Sequence, residues 1–151
     1  MDIYKLLRDD HSKVKSLFKE LEDTTERAVK TREHLFATLK MELTVHSEAE
    51  EKFLYPRLTE AEETREITLE GIEEHNVVKK LLVELEEDPK GTEEWAAKLK
   101  VLQENVEHHV KEEEGEMFKN AKKVLSDEEA EAIAEEVESF KQDYSELEEQ
   151  A

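Results

Sequence analysis

Apolar residues recur three and four positions apart along almost the whole chain, and this spacing strongly constrains the fold. Residues spaced in this way lie on one face of an α-helix. The pattern divides the 151 residues into four long helices and a shorter fifth. Helix breakers are scarce, with 3 Gly and 2 Pro in the chain, which favours long helices further. We therefore predict an all-α protein.

Short connections between the predicted helices favour an up-down-up-down four-helix bundle over about residues 2–120. Asp2 is suited to cap the first helix, and Asp88-Pro89-Lys90-Gly91 ends the third. Ser126-Asp-Glu-Glu129 is a capping box that opens a short additional C-terminal helix over about residues 127–148. Pro56 is expected to kink or loosen the last turns of the second helix. The whole chain, residues 1–151, is predicted to be one domain.

The charge balance excludes several classes of partner. Against 22 Lys+Arg stand 42 Asp+Glu, for a formal net charge of -20. Such a surface repels phosphate groups, so we predict no nucleic-acid partner and no membrane partner. The chain has no cysteine, which excludes disulfides, thiol chemistry and protein-bound iron–sulfur clusters. No secretory signal or apolar span is evident, and the expected location is cytoplasmic.

An eleven-residue pattern occurs twice, as His46-Ser-Glu-Ala-Glu50-Glu-Lys-Phe-Leu-Tyr55-Pro56 and as His109-Val-Lys-Glu-Glu113-Glu-Gly-Glu-Met-Phe118-Lys119. In each copy a His precedes a Glu by four residues, which places both on one helix face. The first and third helices also carry an inward His. The candidate metal ligands are therefore His11, His46, Glu50, His75, His109 and Glu113.

Residue offsets from the predicted turns place these six groups within about one helical turn of a common level. A lone inward His is more often a hydrogen-bonded core residue than a ligand. Six inward ionisable groups are harder to explain in that way, because burying each one without compensation costs about 3–5 kcal/mol. A nitrogen-and-oxygen site for iron or another first-row transition metal would compensate all six.

The order of these motifs resembles that of the hemerythrin-like HHE cation-binding domains, over roughly residues 4–120. The resemblance rests on His11, on His46-x-x-x-Glu50 followed by an aromatic and Pro56, on Glu74-His75, and on His109-Val-x-x-Glu-Glu. Ferritin-like di-iron bundles are disfavoured, since they need Glu-x-x-His and the chain has none.

The resemblance implies two iron ions (Fe2+/Fe3+) with carboxylate and oxo or hydroxo bridges. It assigns Glu50 and Glu113 as the bridges, His11 and His46 to one iron, and His75 and His109 to the other. Two features depart from oxygen-carrying hemerythrins: Lys79 stands where those proteins have a further His, and Glu113 replaces an Asp. One iron is then expected to have room for water, Glu51 or an exogenous ligand.

We predict a non-haem di-iron protein that binds O2 or another small diatomic in oxygen or redox sensing, storage or detoxification. The alternatives are an enzyme-like di-iron role (NO or peroxide reduction, or iron donation for iron–sulfur cluster repair) and a metal-free acidic helical interaction module. A monomer or weak homodimer is expected. Tyr55 and Phe118 are expected to close one end of the site, while Glu51 and Glu112 are expected to be solvated.

Overall fold

The protein is helical almost throughout. The structure, a computed structural model, describes the backbone of residues 1–150 and the side chains of residues 1–147, so Ala151 of the predicted domain lies outside it. The elements in chain order are α1 (Ile3–Glu22), α2 (Val29–Ala49), a first π-helical turn π1 (Glu50–Leu54), α3 (Tyr55–Thr59), α4 (Glu62–Glu87), α5 (Glu93–Glu112), a second π-helical turn π2 (Glu113–Met117), α6 (Phe118–Val124) and α7 (Asp127–Gln150). The described residues contain no strand, which confirms the all-α prediction.

The bundle follows the predicted order of four long helical segments. These are α1, the continuous α2–π1–α3, α4, and the continuous α5–π2–α6. Neighbouring segments pack in sequence, α1 on α2, α3 on α4 and α4 on α5, and α5 also contacts α1 to close the bundle. The two segments that carry the repeated motif are therefore diagonal to each other.

Side-chain caps fix the starts of three helices, two of them at the predicted residues Asp2 and Ser126. The Asp2 carboxylate accepts a hydrogen bond from the Lys5 amide at 2.9 Å, and the Thr92 hydroxyl accepts one from the Trp95 amide at 3.0 Å. Ser126 and Glu129 form a reciprocal capping box at 3.0 and 3.1 Å. Each pair satisfies amide groups that the first turn of a helix leaves without a backbone partner.

Two separate apolar clusters fill the bundle. We name them by a member: the Trp95 cluster comprises Val14, Leu17, Phe18, Leu21, Phe36, Leu39, Leu43, Val78, Leu82, Leu85, Trp95, Leu99, Leu102 and Val106. The Tyr55 cluster comprises Ile3, Tyr4, Leu6, Leu7, Ala49, Leu54, Tyr55, Leu58, Met117, Phe118, Ala121, Leu125, Ala130, Ile133, Ala134 and Val137. Along α1, His11 lies between Leu7 of one cluster and Val14 of the other, so the inward polar residues occupy the layer between the two.

The helix containing Pro56 differs in detail from the prediction. Pro56 is the second residue of α3, just after the π turn, so the predicted loosening of the helix takes the form of a π turn. The Glu50 carbonyl accepts from the Tyr55 amide five residues later. The second copy of the motif does the same, with the Glu113 carbonyl accepting from the Phe118 amide. The repeated sequence therefore gives a repeated π turn.

The C-terminal helix begins at the predicted capping box and packs on one side of the bundle. It contacts α1, α2 and π1, and its residues Ala130, Ile133, Ala134 and Val137 are part of the Tyr55 cluster. Its bounds, Asp127–Gln150, agree with the predicted range of about residues 127–148. None of the helices in the described part of the chain is both long enough and apolar enough to cross a membrane.

Candidate metal centre

The structure brings all six predicted ligands together in the layer between the two clusters. All six are buried, and the Glu50 and Glu113 side chains have no exposed surface. Each of α1, α2, α4 and α5 supplies one histidine, and the two carboxylates come from the first residues of π1 and π2. A π turn inserted in an α-helix is frequently found at a functional site.

Each carboxylate lies between two histidines. Glu50 Oε1 is 3.1 Å from His46 Nε2 and 3.2 Å from His75 Nε2. Glu113 Oε1 is 3.1 Å from His11 Nε2, and its Oε2 is 3.3 Å from His109 Nε2. Both carboxylates therefore reach across the layer from one histidine pair to the other.

These converging atoms are buried without ordinary partners. Within the described residues, six of the inward atoms form no hydrogen bond, although their mutual distances are short. They are Nε2 of His11, His46 and His75, both carboxylate oxygens of Glu50, and Oε1 of Glu113. Leaving one buried polar atom unsatisfied costs about 1–3 kcal/mol. Six such atoms pointing into one small volume are the donor arrangement that a metal cation would satisfy, so the residues fit a metal centre.

The donor atoms fall into two overlapping groups. His11, His46, Glu50 and Glu113 form one, and Glu50, His75 and His109 form the other, with the donor atoms of each group within 4.8 Å of one another. We call these the His11–His46 half and the His75–His109 half. Imidazole nitrogen with carboxylate oxygen suits first-row metals such as iron, manganese and zinc.

A ring of four further carboxylates holds the outer nitrogens of the histidines. Nδ1 of His46 is 2.8 Å from Asp10, and Nδ1 of His75 is 2.8 Å from Glu51. Nδ1 of His109 is 2.7 Å from Glu74, and Nδ1 of His11 is 2.6 Å from Glu114. A carboxylate at Nδ1 fixes the ring orientation and directs the Nε2 lone pair inward, as is usual for metal-binding histidines.

The ring passes from one helix to the next. Asp10, Glu51, Glu74 and Glu114 are each the chain neighbour of an inward ligand, and each holds the histidine of the following helix around the bundle. Helical periodicity did not reveal this role for any of the four. The available signal was an acid directly beside each inward ligand on all four helices.

Of the two acids predicted to be solvated, Glu51 and Glu112, only Glu112 behaves as expected. The Glu51 carboxylate is about one-quarter exposed and contacts His75 Nδ1 at 2.8 Å. The prediction for Glu51 was wrong because it considered only the inward face and not the histidine of the adjacent helix. Glu112 lies at the surface, 3.2 Å from the exposed His108, as expected for a residue off the inward face.

The electrostatics of the centre match a site built for cations. Burial alone lowers the pKa of His46, but the charge of Glu50 and the contact with Asp10 outweigh it and raise that pKa to about 10. Burial raises the pKa of Glu113, yet its contacts with Glu50, His109 and His11 hold it well below the usual value. The layer thus stabilises positive charge on His46 and negative charge on Glu113.

Tyr55 borders the centre on the side of its cluster. Its hydroxyl donates a short hydrogen bond to Glu113 Oε2 and lies 3.3 Å from His109 Nε2. Its ring stacks on that of His75 with centroids 5.4 Å apart. Gly71 makes room here, because a Cβ at this position would lie 3.3 Å from the His109 ring and 3.6 Å from the Tyr55 hydroxyl.

On the opposite side, a small chamber separates the histidines from the Trp95 cluster. Its volume is about 20 Å³, and its lining comprises His11, Val14, Leu43, His46, Ser47, His75, Val78, Val106, His109 and Val110. A surface groove of about 460 Å³ between α1 and α5 shares His11, Val14, Val106 and Val110 with the chamber. A chamber of this size accepts a molecule about as large as water.

Comparison with known proteins identifies the family. Residues 2–121 match the Hemerythrin HHE cation binding domain, and the chain belongs to that family. It is an all-helical member whose His and Glu side chains form groups able to hold a metal. This finding confirms the resemblance and the fold class that the sequence predicted.

Two individual proteins are similar to this chain. A crystal structure of a Hemerythrin HHE cation binding domain-containing protein, the Rv2633c homolog from Mycobacterium kansasii, superposes with a TM-score of 0.82 at 24% identity, covering 94% of this chain and 86% of that one. A protein named DNA nickase from Nostoc sp. (strain PCC 7120 / SAG 25.82 / UTEX 2576) is 33% identical over 141 residues. The match covers 93% of this chain and only 39% of that relative's length.

Proposed function

We propose that this chain is a non-haem di-iron protein that binds O2 or a related diatomic, in oxygen or redox sensing, storage or detoxification. His11 and His46 hold one iron, His75 and His109 hold the other, and Glu50 and Glu113 bridge them. The observation that carries the proposal is the convergence of six buried donor groups, most of whose inward-facing atoms lack a hydrogen-bond partner among the described residues.

The bridging role of the two glutamates is supported by their contacts. Each lies within 3.3 Å of a histidine from both halves, whereas no histidine is part of both donor groups. Two bound irons would supply two electrons to a diatomic ligand between them. The chain's own contribution is to fix the imidazoles through their outer nitrogens, to neutralise the two irons with carboxylates, and to exclude water with two apolar clusters.

The size of the chamber favours a diatomic ligand. At about 20 Å³ it accepts a ligand about as large as water, which favours a small diatomic over an organic substrate of several heavy atoms. Four valines and one leucine form half of its lining, and four histidines and one serine form the rest, so an apolar ligand would contact both aliphatic side chains and imidazole rings. The groove between α1 and α5 offers the route from solvent.

Rapid mixing of the iron-loaded, reduced protein with O2, NO and hydrogen peroxide tests this function. A binder is expected to give a long-lived spectral change with O2 that reverses when the gas is removed, and no sustained turnover. An enzyme-like role in NO or peroxide removal, the alternative, would instead consume many equivalents of substrate per chain. Transfer of iron to an apo iron–sulfur protein would favour the repair role.

The metal-free interaction module makes the opposite prediction for the buried groups. If they served no metal, replacing His46 and Glu113 together by Ala would leave thermal stability unchanged or improved, since two buried ionisable groups are removed. The di-iron proposal expects the double variant to lose both metal binding and the stabilisation that bound metal confers.

A DNA-directed role is disfavoured for this chain. The similar protein named DNA nickase extends well beyond the matched segment, and a net charge of -20 opposes contact with a phosphate backbone. We therefore keep the prediction of no nucleic-acid partner. We expect the chain not to shift the mobility of a labelled DNA duplex at low ionic strength. Low salt is used because it does not screen a weak electrostatic attraction between protein and DNA.

A further inference from the structure

The C-terminal helix α7 lies outside residues 2–121, the part of the chain that matches the family, yet it reaches the metal centre. Lys141 of α7 contacts both carboxylate oxygens of Asp10. Asp10 in turn holds His46 Nδ1 at 2.8 Å. A side chain of α7 is therefore two contacts away from a candidate metal ligand.

We propose that Lys141 is a positioning residue for His46, and that α7 thereby sets how strongly the His11–His46 half of the centre holds its metal. The inference rests on the proposed di-metal function. Lys141 fixes the position of Asp10, Asp10 fixes the ring of His46, and His46 presents Nε2 to the centre.

The surroundings of Asp10 distinguish it from the other three carboxylates of the ring. The Asp10 side chain is 12% exposed, whereas those of Glu51, Glu74 and Glu114 are 24% to 33% exposed. A buried carboxylate feels a neighbouring ammonium group more strongly than an exposed one, because solvent screens the pair less. Removal of Lys141 would therefore leave a buried charge with one partner fewer.

The rest of α7 anchors Lys141 in place. Val137, one turn earlier, has no exposed surface and packs in the Tyr55 cluster. Phe140, the neighbour of Lys141, contacts the Phe53 ring of π1 with centroids 5.7 Å apart. This packing limits the movement of the helix beside Asp10, so the lysine acts from a fixed backbone.

The other half of the centre supplies a matched control. Lys79 stands beside Glu51, which holds His75 in the same way, but the ammonium is 3.7 Å from the carboxylate and the Lys79 side chain is 50% exposed. Lys79→Gln and Lys141→Gln thus remove the same charge from equivalent positions of the two halves. Because the Lys79 side chain is more exposed than that of Lys141, we expect Lys79→Gln to affect the bound iron less than Lys141→Gln does.

The test compares both variants after anaerobic loading with ⁵⁷Fe2+. Mössbauer spectra report the environment of each iron, and a coloured Fe2+ chelator reports its release rate. We expect Lys141→Gln to alter one of two iron signals and to speed release of one ion about 3–10-fold. Asp10→Asn should alter the same signal and speed release of that ion about 10–100-fold, the usual effect of losing a residue that holds a ligand.

The controls separate positioning from a merely structural role. Lys141→Arg should restore the wild-type signal, and Lys79→Gln should stay within about twofold of the wild-type release rate, as expected for an exposed ion pair. The metal-free Lys141→Gln protein should unfold at nearly the wild-type temperature, because the lysine is partly exposed.

Two results would overturn the inference and leave the proposed function intact. One is a Lys141→Gln protein with wild-type spectra and release, and the other is an equal effect on both irons. A wild-type protein that binds no iron at all would instead remove the proposed function, and the inference with it.

Discussion

Each inward histidine is held from two sides, by a carboxylate at Nδ1 and by Glu50 or Glu113 near Nε2. Purely apolar packing would not require this arrangement, since so many charged or polar groups are expensive to bring into a bundle. The two-sided contacts are expected if the four imidazoles present their Nε2 lone pairs to a common point. The contacts of single residues are therefore the strongest indication of function.

The bridging assignment predicts different metal counts for different single variants. Glu50→Ala should abolish retention of both ions, because Glu50 contacts a histidine of each half, whereas His75→Ala should leave one ion bound. Metal per chain is measured after equilibrium dialysis. Glu112→Ala, a partly exposed acid one position from Glu113, is the control and should retain two ions. One ion remaining in Glu50→Ala would contradict the bridge.

A methyl group at Gly71 should disturb the centre from the Tyr55 side. The added Cβ would lie 3.3 Å from His109 Cε1 and from the Met117 methyl; Met117 can move, but His109 is held by Glu74. We expect Gly71→Ala to cost about 1–2 kcal/mol in stability, as overpacking does. Metal affinity should fall about tenfold.

Gly115→Ala provides the comparison for that variant. A Cβ at Gly115 meets nothing within 4 Å, so this change should be neutral or slightly stabilising. Chemical denaturation of both metal-free variants measures the difference. Equal stabilities would show that the space beside Gly71 is not needed for His109 and Tyr55.

The ligand residues could be predicted from the sequence, whereas the residues that hold them could not. His11, His46, His75 and His109 lie on apolar stripes, so helical periodicity alone turns them inward. Asp10 and Glu74 lie on the flanks of the stripes, and their role depends on which helix is adjacent and at what rotation. Periodicity does not contain that information.

At the scale of elements, the two π turns are the feature most closely tied to the site. Both begin at a candidate bridging residue, and both give an i to i+5 hydrogen bond from its carbonyl. The sequence indicated the duplication through its repeated motif. The sequence did not indicate the π geometry. A π turn adds one residue to the helix, and this addition does not change which residues of the repeated motif are apolar.

Deleting Gly115 should convert π2 into ordinary α-helix. A π turn contains one residue more than an α-turn, so its removal restores i to i+4 bonding while the flanking faces stay aligned. We expect the metal-free variant to be at least as stable as the wild type and to bind metal at least tenfold more weakly. Calorimetric metal titration measures the affinity, with Gly115→Ala as the length-preserving control.

That experiment separates two explanations of the π turns. Weaker metal binding with retained stability would mean that the turn exists to place Glu113. Loss of the fold with unchanged affinity in the remaining folded protein would mean that it serves packing. The position of α7 could also be predicted only in part. Its start follows from the Ser126 capping box, but its packing against α1, α2 and π1 could not be predicted from the sequence.

At the scale of the whole molecule, the centre divides the core into two apolar clusters. The Tyr55 cluster, with α7, closes one side, and the Trp95 cluster closes the other, leaving the chamber and the α1–α5 groove as the approach from solvent. Burial of the large side chains on both sides stabilises the bundle independently of metal, because apolar burial contributes about 25 cal/mol per Å².

Narrowing this approach should slow ligand binding without changing metal content. Val106 lines both the chamber and the groove, so Val106→Phe is expected to lower the association rate of NO with the reduced iron protein about tenfold or more. Val101→Phe, at an exposed position of the same helix, is the control and should associate at the wild-type rate. Unchanged association in Val106→Phe would show that ligands enter elsewhere.

The central claim is that the buried layer holds a pair of cations, and anomalous X-ray diffraction from metal-loaded crystals tests it most directly. We predict two peaks per chain, one among His11, His46, Glu50 and Glu113, and the other among Glu50, Glu113, His75 and His109. Anomalous density confined to surface groups such as Glu74, His108 and Glu112, with none between the two clusters, would contradict the account.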